Sequence, residues 1–279
     1  MLYCTRHYCL ARAAKMNRHL RFVAAKRLAL IGALPVALVL ALLALLAPPP
    51  TVVSAGPDGL RVLRSDLNGV VLELDVPSYQ LTQRRIDGVK YDVLSAPGLD
   101  LRGAAPGAPQ LPLRGVAVAV PQAAAMSVRV LDAQAEEVPQ SLRLLPMPTQ
   151  QIDRSSGEPF TYRNLGLQYI PDAALYARAG FEPQSPFSLG SVGYMRSQRF
   201  VQLTLYPFAY NAVQQKVRWI KRLTIEIRFA YAHGPDVQAV GSAHDEGPYE
   251  KILQQQIVNY DNARTWRMPA RSAPRPQTP

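Results

Sequence analysis

The sequence predicts an all-β fold, an antiparallel sandwich or barrel-like domain with one short helix near the C-terminus, and three observations carry that expectation. Apolar residues recur at every second position in several short runs, the period of a strand with one wet face. The 25 prolines are spread along the chain, which opposes long helices and favours turns and edge strands. A helical period is visible at one place only, close to the C-terminus.

Taken in order, LNGVVLELDVPSY puts Val70, Leu72, Leu74 and Val76 on one face and Glu73 and Asp75 on the other. RGVAVAVPQ does the same with Val116, Val118 and Val120, and AMSVRVLDA with Met126, Val128 and Val130. QSLRLLPMP predicts a further short strand ending at Pro146. Between about Thr149 and Ser197 turn formers dominate and no period is sustained, so this stretch predicts a long connection, functional or poorly ordered. Val201, Leu203 and Leu205 then alternate, as do Leu223, Ile225, Ile227 and Phe229 against Arg222, Thr224, Glu226 and Arg228. Asn211 and the polar residues after it supply a turn, so the two runs predict a β-hairpin with a long loop. Tyr206, Phe208 and Tyr210 share one parity, either as a packing face or as a recognition patch. PYEKILQQQIVNYDNARTW predicts the helix, with Pro248 in its first turn and Tyr249, Ile252, Leu253, Gln256, Ile257 and Tyr260 on one face.

The net charge of +11 suggests nucleic acid until it is divided along the chain. Residues 1–55 hold seven Lys or Arg and no acid, so the remaining 24 bases and 20 acids leave only +4 for the rest. Those bases sit singly on strand faces rather than in the clusters that phosphate binding needs, which excludes a nucleic-acid partner. Arg18, Arg21, Lys26 and Arg27 precede an uncharged run from Leu28 to Ala47, the layout of a secretory signal. Small residues in VVSAG predict cleavage between Ala55 and Gly56; the competing reading is an uncleaved membrane anchor, since the run is just long enough to span a bilayer. The predicted organisation is therefore a signal or anchor over 1–55, a β domain over 56–267, and a Pro/Arg-rich tail or linker over 268–279. Both readings export the chain, to the medium or the cell surface.

Little in the sequence points to catalysis. Cys4 and Cys9 precede the apolar run, so the exported part has no disulfide and no cysteine nucleophile. His233 and His244 flank a polar stretch with Asp236, Asp245 and Glu246 nearby, at a spacing that matches no zinc motif; no metal and no cofactor is expected. Glu136 and Glu137 are adjacent and would point to opposite faces of a strand, which rules them out as a facing acid and base.

The order of several motifs is distinctive. GAPQLP (Gly107–Pro112), a Val-rich strand ending at Pro121, GSVGYMRSQRFVQLTLYPFAYN, the strand from Leu223 to Phe229 and YEKILQQQIVNYDNARTW together resemble the propeptide domain of gingipain-type cysteine peptidases, from about Val70 to Trp266. The matching positions are Pro109, Pro112, Arg196, Pro207, Tyr210 and Asn211; Ser197 and Ala212 stand where the family commonly has Gly and Pro. The resemblance implies an all-β prodomain that assists folding of a cysteine peptidase and holds it latent by covering its cleft, with a loop residue aimed at the specificity pocket. The partner would be the peptidase domain, in cis downstream or in trans. Turn-rich residues 151–164 are the expected inhibitory loop, because recognition residues concentrate on loops held by rigid scaffolds. Arg154 is the first candidate, since a guanidinium can enter an acidic pocket and pair with a carboxylate through two bonds. Arg163 is the second and Arg196 the third, because the strand pattern around Arg196 predicts a structural role for it. The alternative from another class is an exported β-sandwich binding or adhesion module.

Overall fold

The computed structural model describes residues 59–101, 104–152, 165–232 and 245–268. All of them belong to one compact unit, Thr51–Pro279. Twelve strands dominate it, so the architecture is all-β as expected: β1 (Leu60–Asp66), β2 (Gly69–Asp75), β3 (Gln80–Ile86), β4 (Val89–Ser95), β5 (Arg114–Ala119), β6 (Ala125–Glu137), β7 (Thr149–Ile152), β8 (Leu165–Gln168), β9 (Phe187–Met195), β10 (Gln198–Leu205), β11 (Phe208–Asn211) and β12 (Lys216–Ala230). Among the described residues three short α-helices accompany them, α1 (Ala173–Tyr176), α2 (Glu250–Gln256) and α3 (Tyr260–Ala263).

Two antiparallel sheets build the sandwich. One has the order β1-β2-β12-β11, with β6 paired along the other side of β12; the second has the order β5-β10-β9. The alternating residues become the inner faces. Val70, Leu72 and Leu74 from β2 and Leu223, Ile225 and Ile227 from β12 meet Val116 and Val118 from β5 and Val201, Leu203 and Leu205 from β10 in one buried cluster. The opposite parity carries the ion pairs of the wet face, including Arg61 with Glu73 and Asp75, and Arg222 with Asp75 at 2.9 Å. Gly69 permits the close approach of β2 to β12, because a Cβ there would lie 2.3 Å from the Ile227 carbonyl oxygen. Along β6 the alternation fades toward the margin: Met126 and Val128 pack on the core, while Val130 is exposed.

The expected long hairpin between Val201–Leu205 and Leu223–Phe229 does not form. β10 pairs with β5 and β9, whereas β12 pairs with β11, β2 and β6. Pro207 explains the change: without an N–H it cannot continue the β10 ladder, and the chain crosses there from one sheet to the other. The true hairpin is the short one, β11 to β12. Its turn begins at Asn211, whose Oδ1 accepts from the Gln214 N–H at 3.1 Å. Phe208 and Tyr210 are buried and Tyr206 half-buried, so this parity is a packing face; Phe208 stands edge-on to Tyr79.

Three further expectations are refined. QSLRLLPMP forms no ladder strand; Leu142, Leu144 and Leu145 are buried, and the segment makes single bridges from Leu144 to Asp92 and from Pro146 to Pro109. The stretch from Thr149 to Ser197 contains β7, β8, α1 and β9, the last an edge strand without regular alternation. The predicted C-terminal helix is interrupted after Gln256, where Ile257 turns to extended geometry and bridges Ala117; Leu253 and Ile257 point inward, but Tyr249 and Ile252 are exposed.

Candidate functional site: a clamped hairpin

β7 and β8 pair from Thr149–Gln168 to Ile152–Leu165, so residues 153–164 are carried at the end of a two-stranded hairpin. Arg154 and Arg163 fall in that segment and lie outside the described residues. Two strands alone are marginal in water, and the base of this pair is held by the GAPQLP loop. The Gly107 N–H donates to the Met147 carbonyl at 2.9 Å, the Met147 N–H to Ala108 at 2.7 Å, and the Asp172 N–H to Gly107 at 3.0 Å. One loop thus ties the chain just before β7 to the chain just after β8. Gly107 has φ +78°, and a Cβ on it would meet the Ile170 oxygen and Asp172 nitrogen at 3.0 Å, so the position requires glycine twice over. Gln110 completes the clamp: its N–H reaches the Leu145 carbonyl at 2.9 Å and its side-chain amide the Pro146 carbonyl at 3.0 Å.

The motif positions Pro109 and Tyr210, with Leu111, Leu175 and Ala212, line an apolar cavity of about 220 Å³ behind this clamp. Tyr210 donates to the Leu142 carbonyl at 2.7 Å and Tyr176 to the Leu144 carbonyl at 2.9 Å, and burial pushes both phenols above their ordinary pKa. Pro112 is buried. The Pro207 carbonyl accepts from the Ile220 N–H at 2.8 Å, so both residues are part of the scaffold. The other side of the hairpin faces the β3–β4 turn, where Asp87 and Gly88 have φ +47° and +79° as a two-residue hairpin turn requires. Arg84 reaches across to donate to the Tyr169 hydroxyl at 3.0 Å with its guanidinium over the ring at 4.8 Å. Leu167 and Ile170 remain 53% and 60% exposed beside it.

Arg196 is in a different place. It occupies the β9–β10 turn at φ +58°, stacks on Tyr249 at 4.3 Å and pairs with Glu246 at 3.6 Å. The adjoining Ser197 donates to the same carboxylate from its N–H at 3.2 Å and from its hydroxyl, an attachment that glycine could make only through the backbone. Residues 245–268 form a clasp that this turn helps to fasten. Asn259, buried, exchanges two hydrogen bonds with the Ala119 backbone on the open edge of β5, at 2.8 and 3.1 Å. Trp266 packs edge-on against Phe229, and Gln122 donates to its carbonyl at 2.7 Å. Arg267, fully buried, grips Glu250 with two bonds of 3.0 and 2.7 Å, and Tyr260 adds a third. The Arg267 contact holds the Glu250 carboxyl down at about 2. The sequence pattern showed none of these polar partners, because hydrophobic periodicity is blind to polar pairing, whether the partners are 10 positions apart, as Tyr260 and Glu250 are, or 140, as Asn259 and Ala119 are. The Asp87-Gly88 dipeptide between two short runs was the one local signal available for the β3–β4 hairpin.

Among the described residues no group of three or more His, Cys, Asp or Glu could hold a metal ion. What the geometry offers is a sandwich with the β7–β8 hairpin clamped to it at its base. The family profile Propeptide_C25 matches residues 50–266, and the chain belongs to that family. Its sequence is 30% identical over 97 residues to Lys-gingipain of Porphyromonas gingivalis strain ATCC 33277, a match covering 34% of this chain and 6% of that protein. Lys-gingipain W83 of the same species gives the same identity over 5% of its length, so the chain matches only a small part of these relatives. In fold it is similar to a chain of the complex of Porphyromonas gingivalis RgpB pro- and mature domains, with TM-score 0.57, 17% identity, and coverage of 74% of this chain and all of that one. A structure bearing on the zymogenic latency of gingipain K from the same species gives TM-score 0.51 and 23% identity over 64% of this chain and 96% of that one. The chain is a propeptide domain of the gingipain type.

Proposed function

We propose that this domain keeps a gingipain-like cysteine peptidase latent and assists its folding, by laying residues 153–164 into the active-site cleft. The observation that carries this reading is the clamped hairpin: the GAPQLP loop holds both ends of β7–β8, so the segment at its end is offered from a fixed base. A segment tethered at both ends loses less conformational freedom on docking than a free one, which is where affinity is gained. Arg154 is the residue assigned to the specificity pocket, with Arg163 second. Arg196 ranks below them because its guanidinium is already engaged by Glu246 and Tyr249. The family membership supports the partner class, and the absence of cysteine beyond residue 9 supports a covering rather than a catalytic role. Export by residues 1–55, with cleavage between Ala55 and Gly56, would deliver the domain to the cell surface or medium; a Pro/Arg-rich tail following Met268 would serve as linker.

The test is inhibition of a peptidase of this type by the exported chain, added in trans, compared with Arg154→Ala, Arg163→Ala and Arg196→Ala. Arg154→Ala is expected to weaken inhibition at least about tenfold, roughly 1.4 kcal/mol, with unchanged thermal stability. A folded chain that fails to inhibit its cognate peptidase at micromolar concentration would sink this reading and leave an exported adhesion module in its place.

A further inference from the structure

The edges of the two larger sheets are not treated alike. β5 is covered by the clasp, through the Ala117–Ile257 bridge and Asn259. β11 is met by Glu182, whose N–H and carbonyl both bond Tyr210. β1 carries Arg61, Arg64 and Asp66 and an irregularity between Val62 and Arg64. β6 carries Arg129, Asp132, Glu136 and Glu137, all exposed. Charges, bulges and covering segments are the usual means of keeping an edge from pairing with another chain. β9 has one bulge but no charge and no proline over its nine residues, FSLGSVGYM, and no strand pairs its outer side among the described residues.

The side chains on that edge form a self-complementary set. Phe187, Leu189 and Val192 pair with Leu205, Leu203 and Val201 and therefore share the core face, and Tyr194 continues the same parity. Leu189, Val192 and Tyr194 are nevertheless 37%, 41% and 53% exposed, because nothing lies beyond them among the described residues. The opposite face is small: Ser188, Gly190 and Gly193, with a Cβ on Gly190 or Gly193 meeting Gln202 at 3.1 Å or the Phe200 ring at 3.2 Å. If a second β9 runs antiparallel about an axis between residues 190 and 191, Leu189 faces Val192 of the other copy and Phe187 faces Tyr194. Every core-face residue then meets a core-face residue, and Gly190 and Ser191 pair at the axis without crowding or like charge. An interface that uses one patch twice must be complementary to itself in this way.

We infer that β9 is a homodimer edge: two copies of this chain pair β9 to β9, joining their three-stranded sheets into one of six strands across a twofold axis. The inference does not depend on which peptidase the domain meets. A single strand pair lies at the small end of interface sizes, so the dimer is expected to dissociate at about 10–100 µM. Sedimentation of the exported chain from about 1 µM to 1 mM should show the transition, and amides of residues 187–195 should gain protection from hydrogen exchange as concentration rises while those of β6 do not. Val192→Lys should weaken dimerisation at least about tenfold and leave the melting temperature unchanged; Leu189→Glu should do the same. Mixing the two variants should restore a dimer, because the lysine that Val192→Lys introduces in one copy then faces the glutamate that Leu189→Glu introduces in the other, while the second Leu–Val pair is intact. A chain that stays monomeric to 1 mM overturns the inference. So does a dimer that both variants leave intact, or variants whose mixture does not associate.

Discussion

The clasp over residues 245–268 and the β7–β8 hairpin are both short segments laid against the same sandwich, and they are attached by opposite strategies. The clasp is bound to the sandwich by Asn259 on the Ala119 backbone and the Met268 N–H on the Ser197 carbonyl at 2.9 Å, and is braced internally by Arg267 on Glu250. The hairpin is bound at its root by backbone bonds to Gly107 and Ala108, and Leu167 and Ile170 beside that root stay exposed. A segment whose charges are satisfied internally is committed to its own fold. One that is fixed only at the base keeps its side chains for a partner. Arg196 belongs to the first kind, its guanidinium absorbed by Glu246 and Tyr249.

The comparison breaks first at Arg267. Replacing it with alanine leaves the Glu250 carboxylate in a partly closed site without its main partner, and unfolding free energy should fall by about 3–5 kcal/mol, seen as a melting temperature lower by about 10 °C. Trp266→Ala should follow closely, at about 3–4 kcal/mol, from the packing lost against Phe229; urea titration followed by circular dichroism checks both. A melting temperature unchanged in either variant would mean that the clasp does not hold the sandwich.

Acid should loosen the clasp specifically. The Glu250 carboxyl is held at about 2 in the folded chain, against an unfolded value of about 4.3, so its contribution is complete above pH 5 and declines as pH falls toward 2. Stability of the native chain measured at pH 7, 4 and 2.5 should therefore converge on that of Glu250→Gln, which is already weaker at pH 7. Parallel curves for the two proteins would remove Glu250 as the acid-sensitive group.

On the hairpin side the effects on stability are smaller and those on binding larger. Gly107→Val forces a β-branched residue to φ +78° against backbone atoms at 3.0 Å, which should cost about 1–3 kcal/mol, and should weaken peptidase inhibition beyond what the loss of stability explains. Leu167→Ser, at an exposed position of β8, should change stability by less than about 0.5 kcal/mol. Thermal melts and inhibition constants measured on the same preparations separate the two quantities. A Gly107→Val protein with full inhibition would show that the clamp does not position the loop.

What the sequence determined by itself was everything governed by local periodicity: the strands holding Val70–Val76, Val116–Val120, Val201–Leu205 and Leu223–Phe229, the turn at Asn211, and the order of motifs that marks the family. An alternating run buries one face wherever it is placed, so those faces could be known before their partners were. Which strands pair was decided elsewhere. Pro207 sends β10 and β12 to different sheets, a choice that depends on which edge each finds. β9 exists because β10 offers it a ladder, although its own glycines give no alternation. The clamp at Gly107 and the Asn259 contacts likewise arise from residues distant in sequence, and those of Glu250 with Arg267 from residues that no apolar period links; such hydrogen bonds are worth forming only once the sandwich has removed them from water.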